Sequence, residues 1–224
     1  VKPGDTIALV GETGTGKSTI VNLFCRFYEP TDGEILIDGI NYKDMPQNWI
    51  HENLGYVLQS PHLFSGTIKD NIRYGDLDAT DDDITEACKL VDAHNFIMNM
   101  ENGYDTEVGE GGNLLSTGQK QLISFARAVV RNPRLFVLDE ATSSIDTETE
   151  KVIQDAIQNV LEGRTSFVIA HRLSTVRNAN KILVIDDGKI IESGNHKELI
   201  QSKGYYYELY KNQFIEEKSK VVLG

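Results

Sequence analysis

The stretch Gly11-Glu12-Thr13-Gly14-Thr15-Gly16-Lys17-Ser18-Thr19 decides the fold. It follows the apolar run Ile7-Ala8-Leu9-Val10 and precedes a helix-like segment, Ile20 to Phe27. A short apolar run ending in glycine is the pattern of a central parallel strand. The spacing G-x-x-x-x-G-K-S lets backbone N–H groups turn inward around phosphate oxygens, and the start of the next helix adds partial positive charge. Lys17 is placed to reach the β- and γ-phosphates, and Ser18 to hold Mg²⁺. A plain glycine-rich turn is the alternative reading. The strand before, the helix after and Lys-Ser at the required offset argue against it.

Outward from this loop, the composition sets bounds. At 224 residues, with 40% hydrophobic and 25% charged residues, the chain resembles a soluble globular protein of one domain with a subdomain or two. A formal net charge of −12 disfavours a general nucleic-acid or anionic-membrane surface, so a phosphate ligand must be captured locally. Cys25 and Cys88 are too few and too far apart for a disulfide framework or a zinc site, and a reducing cytosol is expected. Both are expected as small apolar fillers on helices. No apolar run is long enough to span a bilayer, and no leader sequence is visible. The opening Val1-Lys2-Pro3-Gly4-Asp5 reads as a turn into a strand, an abrupt start expected of a fragment of something longer.

Along the chain, the first helix is expected to run to about Tyr28, and Glu34 to Gly39 reads as a short strand between turns. Leu54 to Leu58 reads as an apolar strand ending at Gln59, a side chain able to reach a metal or a water. From Pro61 to Asn113 the character changes to a helical insertion, with Asp81-Asp82-Asp83 opening a helix whose acidic first turn suits the dipole. Leu115-Ser116-Thr117-Gly118-Gln119 precedes an amphipathic helix that Ser116 is placed to cap and Pro133 stops. Leu135-Phe136-Val137-Leu138 then reads as a buried strand ending in Asp139-Glu140, where α/β sheets put their ligands. With the phosphate loop present, Asp139 fits an acid that orders Mg²⁺ through its water shell, and Glu140 an acid that polarises an attacking water. Thr147 onward is helical to Gly163; Ser166 to Ile169 is a strand that delivers His171. Asp186-Asp187-Gly188 marks a hairpin between two strands, and Glu198 to Phe214 is expected to be one helix.

Together these residues resemble the nucleotide-binding domain of an ATP-binding cassette (ABC) transporter, over nearly the whole chain. The motifs are the phosphate loop Gly11 to Thr19, Gln59 as the Q-loop, the signature Leu115 to Gln119, Leu138-Asp139-Glu140 as Walker B, Ser143 to Asp146 as the D-loop, and His171 as the switch histidine. Phe64-Ser65-Gly66-Thr67-Ile68 with Asn71-Ile72, Thr106 to Glu110, and Ile169 to Thr175 resemble the exporter branch. The resemblance implies an α/β P-loop NTPase (RecA-like) core with a small antiparallel β part and an inserted α-helical subdomain. Residues 1–60 and 131–215 are then expected as the catalytic core, 61–130 as the helical and signature subdomain, and 216–224 as a tail, all within one ABC ATPase domain truncated at its N-terminus.

The same resemblance implies ATP and Mg²⁺ as ligands. Two cassettes would close head to tail around two ATP molecules. Gly11, Glu12, Thr13, Gly14, Thr15, Gly16, Lys17, Ser18 and Thr19 would cradle one nucleotide, and Ser116, Thr117, Gly118 and Gln119 would complete the partner's site. Ser18, Gln59 and Asp139 would arrange the metal, Glu140 would act as general base, Lys17 would neutralise developing charge, and His171 would hold the γ-phosphate and the water. Further implied partners are a transmembrane domain earlier in the same chain, touching this domain through coupling helices, with the cassette at the cytoplasmic face of a membrane. Neither nucleic acid nor direct membrane insertion is expected.

Two departures from the family pattern stand out. The aromatic residue that stacks on adenine lies upstream of this sequence. The signature has Thr117 where glycine is usual, adding a Cβ at a position expected to need close backbone approach and positive φ. A handicapped signature beside intact Glu140 and His171 leads to the expectation of a heterodimeric transporter. The competing classes are a non-transport cassette ATPase acting on nucleic acid or ribosomes, and an ATP-binding switch without turnover.

Overall fold

The computed structural model describes residues 1–139, 147–170 and 173–212. In chain order, β1 (Thr6–Val10) leads to α1 (Lys17–Phe24), then β2 (Leu36–Ile37), β3 (Ile40–Asn41), α2 (Gln47–Glu52) and β4 (Leu54–Val57). A helical stretch follows: α3 (Ile68–Arg73), α4 (Asp81–Leu90), α5 (His94–Met98) and α6 (Thr117–Val129). The chain continues through β5 (Leu135–Asp139), α7 (Thr147–Leu161), β6 (Thr165–Ile169), α8 (Leu173–Asn178), β7 (Lys181–Asp186), β8 (Lys189–Gly194) and α9 (His196–Ser202). The described residues fall into two compact units, one drawn from 1–50, 138–139, 165–170 and 173–212, the other from 51–137 and 147–164.

In the first unit β1 lies between β6 and β7, parallel to both, with Leu9 opposite Ile169 on one side and Leu183 on the other. A strand buried on both faces must be apolar throughout, and Ile7, Ala8, Leu9 and Val10 are all buried. The hairpin β7–β8 adds an antiparallel edge, turning through Asp187 and Gly188, both with positive φ. In the sheet order β5 is the neighbour of β6. A separate two-stranded antiparallel sheet, β2–β3, supplies the small antiparallel part. Helix α1 packs Val21 into the core, its C-cap Cys25 is buried as well, and Phe24 lies against Phe167 at 4.3 Å between ring centroids.

The second unit is built around α6, whose Leu122, Ile123, Phe125 and Ala126 are buried at helical spacing, as are Ile153 and Ile157 of α7. β4 borders β5 there, and Leu135 N–H donates to Asn53 O at 2.9 Å. Capping boxes start α3 at Thr67–Asp70 and α4 at Thr80–Asp83, so the acidic run at 81–83 is indeed a helix start. Among the described residues no helix is long and apolar enough to cross a membrane.

Several element boundaries differ from the sequence expectation; the strand expected over Glu34 to Gly39 shrinks to β2, Leu36–Ile37. Helix α1 stops at Phe24, not near Tyr28, because Arg26 turns left-handed (φ 56°) and its guanidinium donates to Tyr42 O at 2.7 Å and Met45 O at 2.8 Å. Strand β4 ends at Val57, leaving Leu58 outside it. The C-terminal helix is two: α9 ends at Ser202, Lys203 turns left-handed (φ 53°), and helical backbone resumes over 205–212. Glu192 causes the break, accepting from Tyr205 N at 2.6 Å and Tyr206 N at 3.0 Å and so capping the second segment. A Cβ at Gly204 would lie 2.0 Å from that carboxylate.

Candidate functional site

The phosphate-type loop joins β1 to α1. Its conformation depends on glycine at Gly11 (φ 155°), where a Cβ would stand 2.2 Å from the backbone oxygen of Ile185. Gly16 caps α1 in the left-handed conformation (φ 103°, ψ 5°) and offers no side-chain oxygen to the first-turn N–H groups, and no acid occupies that turn. Those donors and the helix dipole therefore favour an anion. Ser18 and Thr19, at the same helix start, are exposed.

Lys17 is 93% buried, counted from its 7% exposure, and its ammonium donates to Gly11 O at 2.8 Å and Glu12 O at 2.7 Å. Burial holds its pKa below the ordinary lysine value, and the nearby negative charge of Asp139 works in the opposite direction. The first unit thus brings together the loop, Lys17 and the carboxylate that ends β5. A desolvated ammonium at a helix start and a carboxylate nearby can bind a phosphate chain and steady a divalent cation. Among the described residues no group of three His, Cys, Asp or Glu could hold a metal by itself. The donor set suits Mg²⁺, which takes one or two carboxylates plus phosphate oxygens and keeps several waters.

In the second unit Gln59 is exposed in the bend after β4. Ser116 caps α6 through a capping box: its hydroxyl accepts from Gln119 N at 3.2 Å, and Gln119 Oε1 accepts from Ser116 N at 3.0 Å. The first bond uses a lone pair of Ser116 and leaves its proton for an anion. Thr117 overturns one expectation. It is the first residue of α6, exposed, and absent from the residues with positive φ, so its Cβ carries no backbone strain. The crowded position is Gly118, where a Cβ would meet Thr149 Cγ2 at 2.2 Å. Glu140, His171 and Ser143 to Asp146 lie outside the described residues.

The wall of the loop was not legible in the sequence. Gly188 N–H, in the β7–β8 turn, donates to Thr15 O at 2.9 Å. Tyr205, at the start of the last helical segment, has its phenol pKa raised by burial first and then by the negative charges of Glu12 and Asp186. The turn signal at Asp187-Gly188 was visible, but not what the turn would touch.

Comparison with known proteins gives a consistent result. The family model described as ABC transporter matches residues 1–143. A Bacillus subtilis protein named as an uncharacterized ABC transporter ATP-binding protein, YfiC, is 53% identical over 214 residues, covering 96% of this chain and 35% of the relative. ABC transporter B family member 4 of Dictyostelium discoideum is 50% identical over 218 residues, 97% of this chain and 28% of the relative. ABC transporter B family member 13 of Arabidopsis thaliana is 50% identical over 226 residues, 100% of this chain and 18% of the relative. The chain therefore spans about a third or less of the length of these relatives.

Proposed function

The chain belongs to the ABC transporter family as its ATP-binding ATPase domain, and from that premise we propose that it is the motor of an exporter. The observation that carries this reading is the start of α1, where uncapped N–H groups and the buried Lys17 ammonium converge under the field of Asp139. Two such domains close head to tail around two ATP molecules. Each site joins the Gly11–Thr19 loop of one domain to Ser116–Gln119 of the other.

Within a site, backbone N–H groups of the loop hold the phosphates, and Lys17 neutralises charge that develops as the β,γ-bridging bond breaks. Ser18, Asp139 and Gln59 hold Mg²⁺, which supplies further neutralisation of phosphate charge. Glu140 accepts a proton from the attacking water, and His171 orients that water against the γ-phosphate. The exposed Ser116 hydroxyl donates to the partner's nucleotide. Loss of that contact after hydrolysis lets the pair open and moves the membrane domain.

In this reading residues 1–60 and 131–215 form the catalytic core and 61–130 the helical subdomain. A transmembrane domain in the same full-length protein places the cassette at the cytoplasmic face of a membrane. The low share of each relative that the chain covers supports that arrangement. The case for unlike partners narrows to the bulk of the exposed Thr117 side chain, since backbone strain is no longer an argument.

The test is sedimentation of the full-length Glu140→Gln protein in detergent, with and without Mg-ATP, with bound nucleotide measured in the same samples. Paired cassettes that form only with ATP support the motor reading, and pairing of a single gene product shows that Thr117 permits like partners. Absence of nucleotide binding would overturn the proposal.

A further inference from the structure

Helix α6 carries the signature at one end and Arg127 near the other, about 15 Å away at 1.5 Å per residue. Arg127 is a half-buried cation, and its partial desolvation pushes its pKa below the usual value. Its hydrogen bonds run to amide oxygens: Nε to Asn71 O at 2.7 Å, Nη2 to Asn71 Oδ1 at 2.7 Å, and Nη1 to His62 O at 2.8 Å. The guanidinium lies over the Phe64 ring, 5.3 Å from its centroid. Asn71, 1% exposed, continues the network, its amide donating to Phe64 O at 2.9 Å and Thr67 O at 3.0 Å while Oδ1 accepts from Phe64 N at 2.9 Å.

Even partly withdrawing a cation from water among carbonyls is a costly way to gain stability. What the planar fork does supply is geometry, because it fixes two donors in one direction and a third beside them. The segment it grips begins three residues after Gln59. We propose that Arg127 is a positioning residue for ATP hydrolysis: it ties the signature helix to the segment after Gln59, and so holds Gln59 where the metal and the attacking water need it. This rests on the role given to Gln59 above. It makes the two ends of α6 parts of one device, the signature reading the partner's nucleotide and Arg127 setting the Gln59 loop.

The experiment uses the full-length protein in lipid nanodiscs and measures phosphate release over a range of Mg-ATP concentrations. The variants are Arg127→Lys, Gln59→Ala and the two combined, with thermal unfolding of each. Arg127→Lys keeps the charge and loses the fork. It is expected to lower kcat roughly tenfold or more, as a displaced catalytic group does, and to leave KM for ATP within about twofold, since the phosphate loop is untouched. Added to Gln59→Ala, it is expected to cause no further loss. A wild-type kcat for Arg127→Lys, with Gln59→Ala impaired, overturns the tie and leaves the Gln59 reading standing. A wild-type kcat for Gln59→Ala overturns both. Additive losses with a lowered melting temperature would make Arg127 merely structural. If Arg127→Lys does not accumulate, Asn71→Ser removes the same tie from the other side, and the same outcomes decide.

Discussion

Replacing Gly11 by alanine tests whether the loop is held by backbone contact with the β7–β8 hairpin. The new Cβ would lie 2.2 Å from Ile185 O and 2.9 Å from Thr15 Oγ1, where ordinary contact begins at 3.4 Å. Ile185 is paired with Ile190 in the hairpin, so its carbonyl must retreat by about 1.2 Å or the loop must move by a similar amount. Overpacking against a backbone atom costs ~2–3 kcal/mol, and the left-handed φ adds ~1–2 kcal/mol. Gly4→Ala is the control, because Gly4 has φ 83° and open space around its Cβ, so it carries the φ penalty alone. At ~2–4 °C per kcal/mol, Gly4→Ala should lower the melting temperature of the full-length protein by roughly 2–8 °C and Gly11→Ala by roughly 6–20 °C. ATP affinity, read by calorimetry, should be unchanged in the first. In the second it should fall by roughly a hundredfold or more, since each 1.4 kcal/mol is tenfold. If Gly11→Ala melts with Gly4→Ala and binds ATP normally, the reasoning fails.

Three further outcomes follow from particular contacts. Gly118→Ala places a Cβ 2.2 Å from Thr149 Cγ2, but the next atoms are beyond 3.5 Å; the variant should lose ~1–2 kcal/mol net of helix propensity, and adding Thr149→Ser should restore the melting temperature. Cys25 and Cys88 are buried and each thiol is pushed up to about 12, so neither should be alkylated at pH 8 until denaturant is added. The Asp70 carboxyl is held below 3.8 by its Thr67 hydrogen bonds. Its contribution is complete well above that value and is lost as pH falls past it through the lower folded value, so Asp70→Asn should leave the melting temperature's pH dependence unchanged at neutral pH and flatten it only below about pH 4.5.

The parts of the fold that were legible are those where one local pattern decides. The apolar run of β1, the loop glycines, the Ser116–Gln119 spacing and the Asp187-Gly188 turn each specify their own geometry, and each formed as expected. What escaped depends on residues far apart in sequence. Helix α1 is cut short by Arg26 reaching Tyr42 and Met45, and the C-terminal helix is divided by a carboxylate at Glu192. Helices α2 and α8 span six residues each, too few to show a period. The site follows the same rule. The loop spacing puts Lys17 at the start of α1, whereas its bonds to Gly11 O and Glu12 O, the hairpin contacts at Ile185 and Gly188 and the hydrogen bonds of Arg127 needed the folded chain. At Thr117 the backbone has no conformational need for glycine. The need for smallness belongs to the next residue, Gly118, packed on α7.

The central claim is that Lys17, buried at an uncapped helix start, serves a phosphate chain undergoing transfer. The most direct measurement is Mg-ATP-dependent phosphate release by the full-length protein in nanodiscs, comparing Lys17→Met with the unaltered protein. The account predicts steady release from the unaltered protein and a loss of roughly a hundredfold or more in the variant, the cost of removing one preorganised electrostatic contact. Turnover by Lys17→Met at the unaltered rate would contradict it.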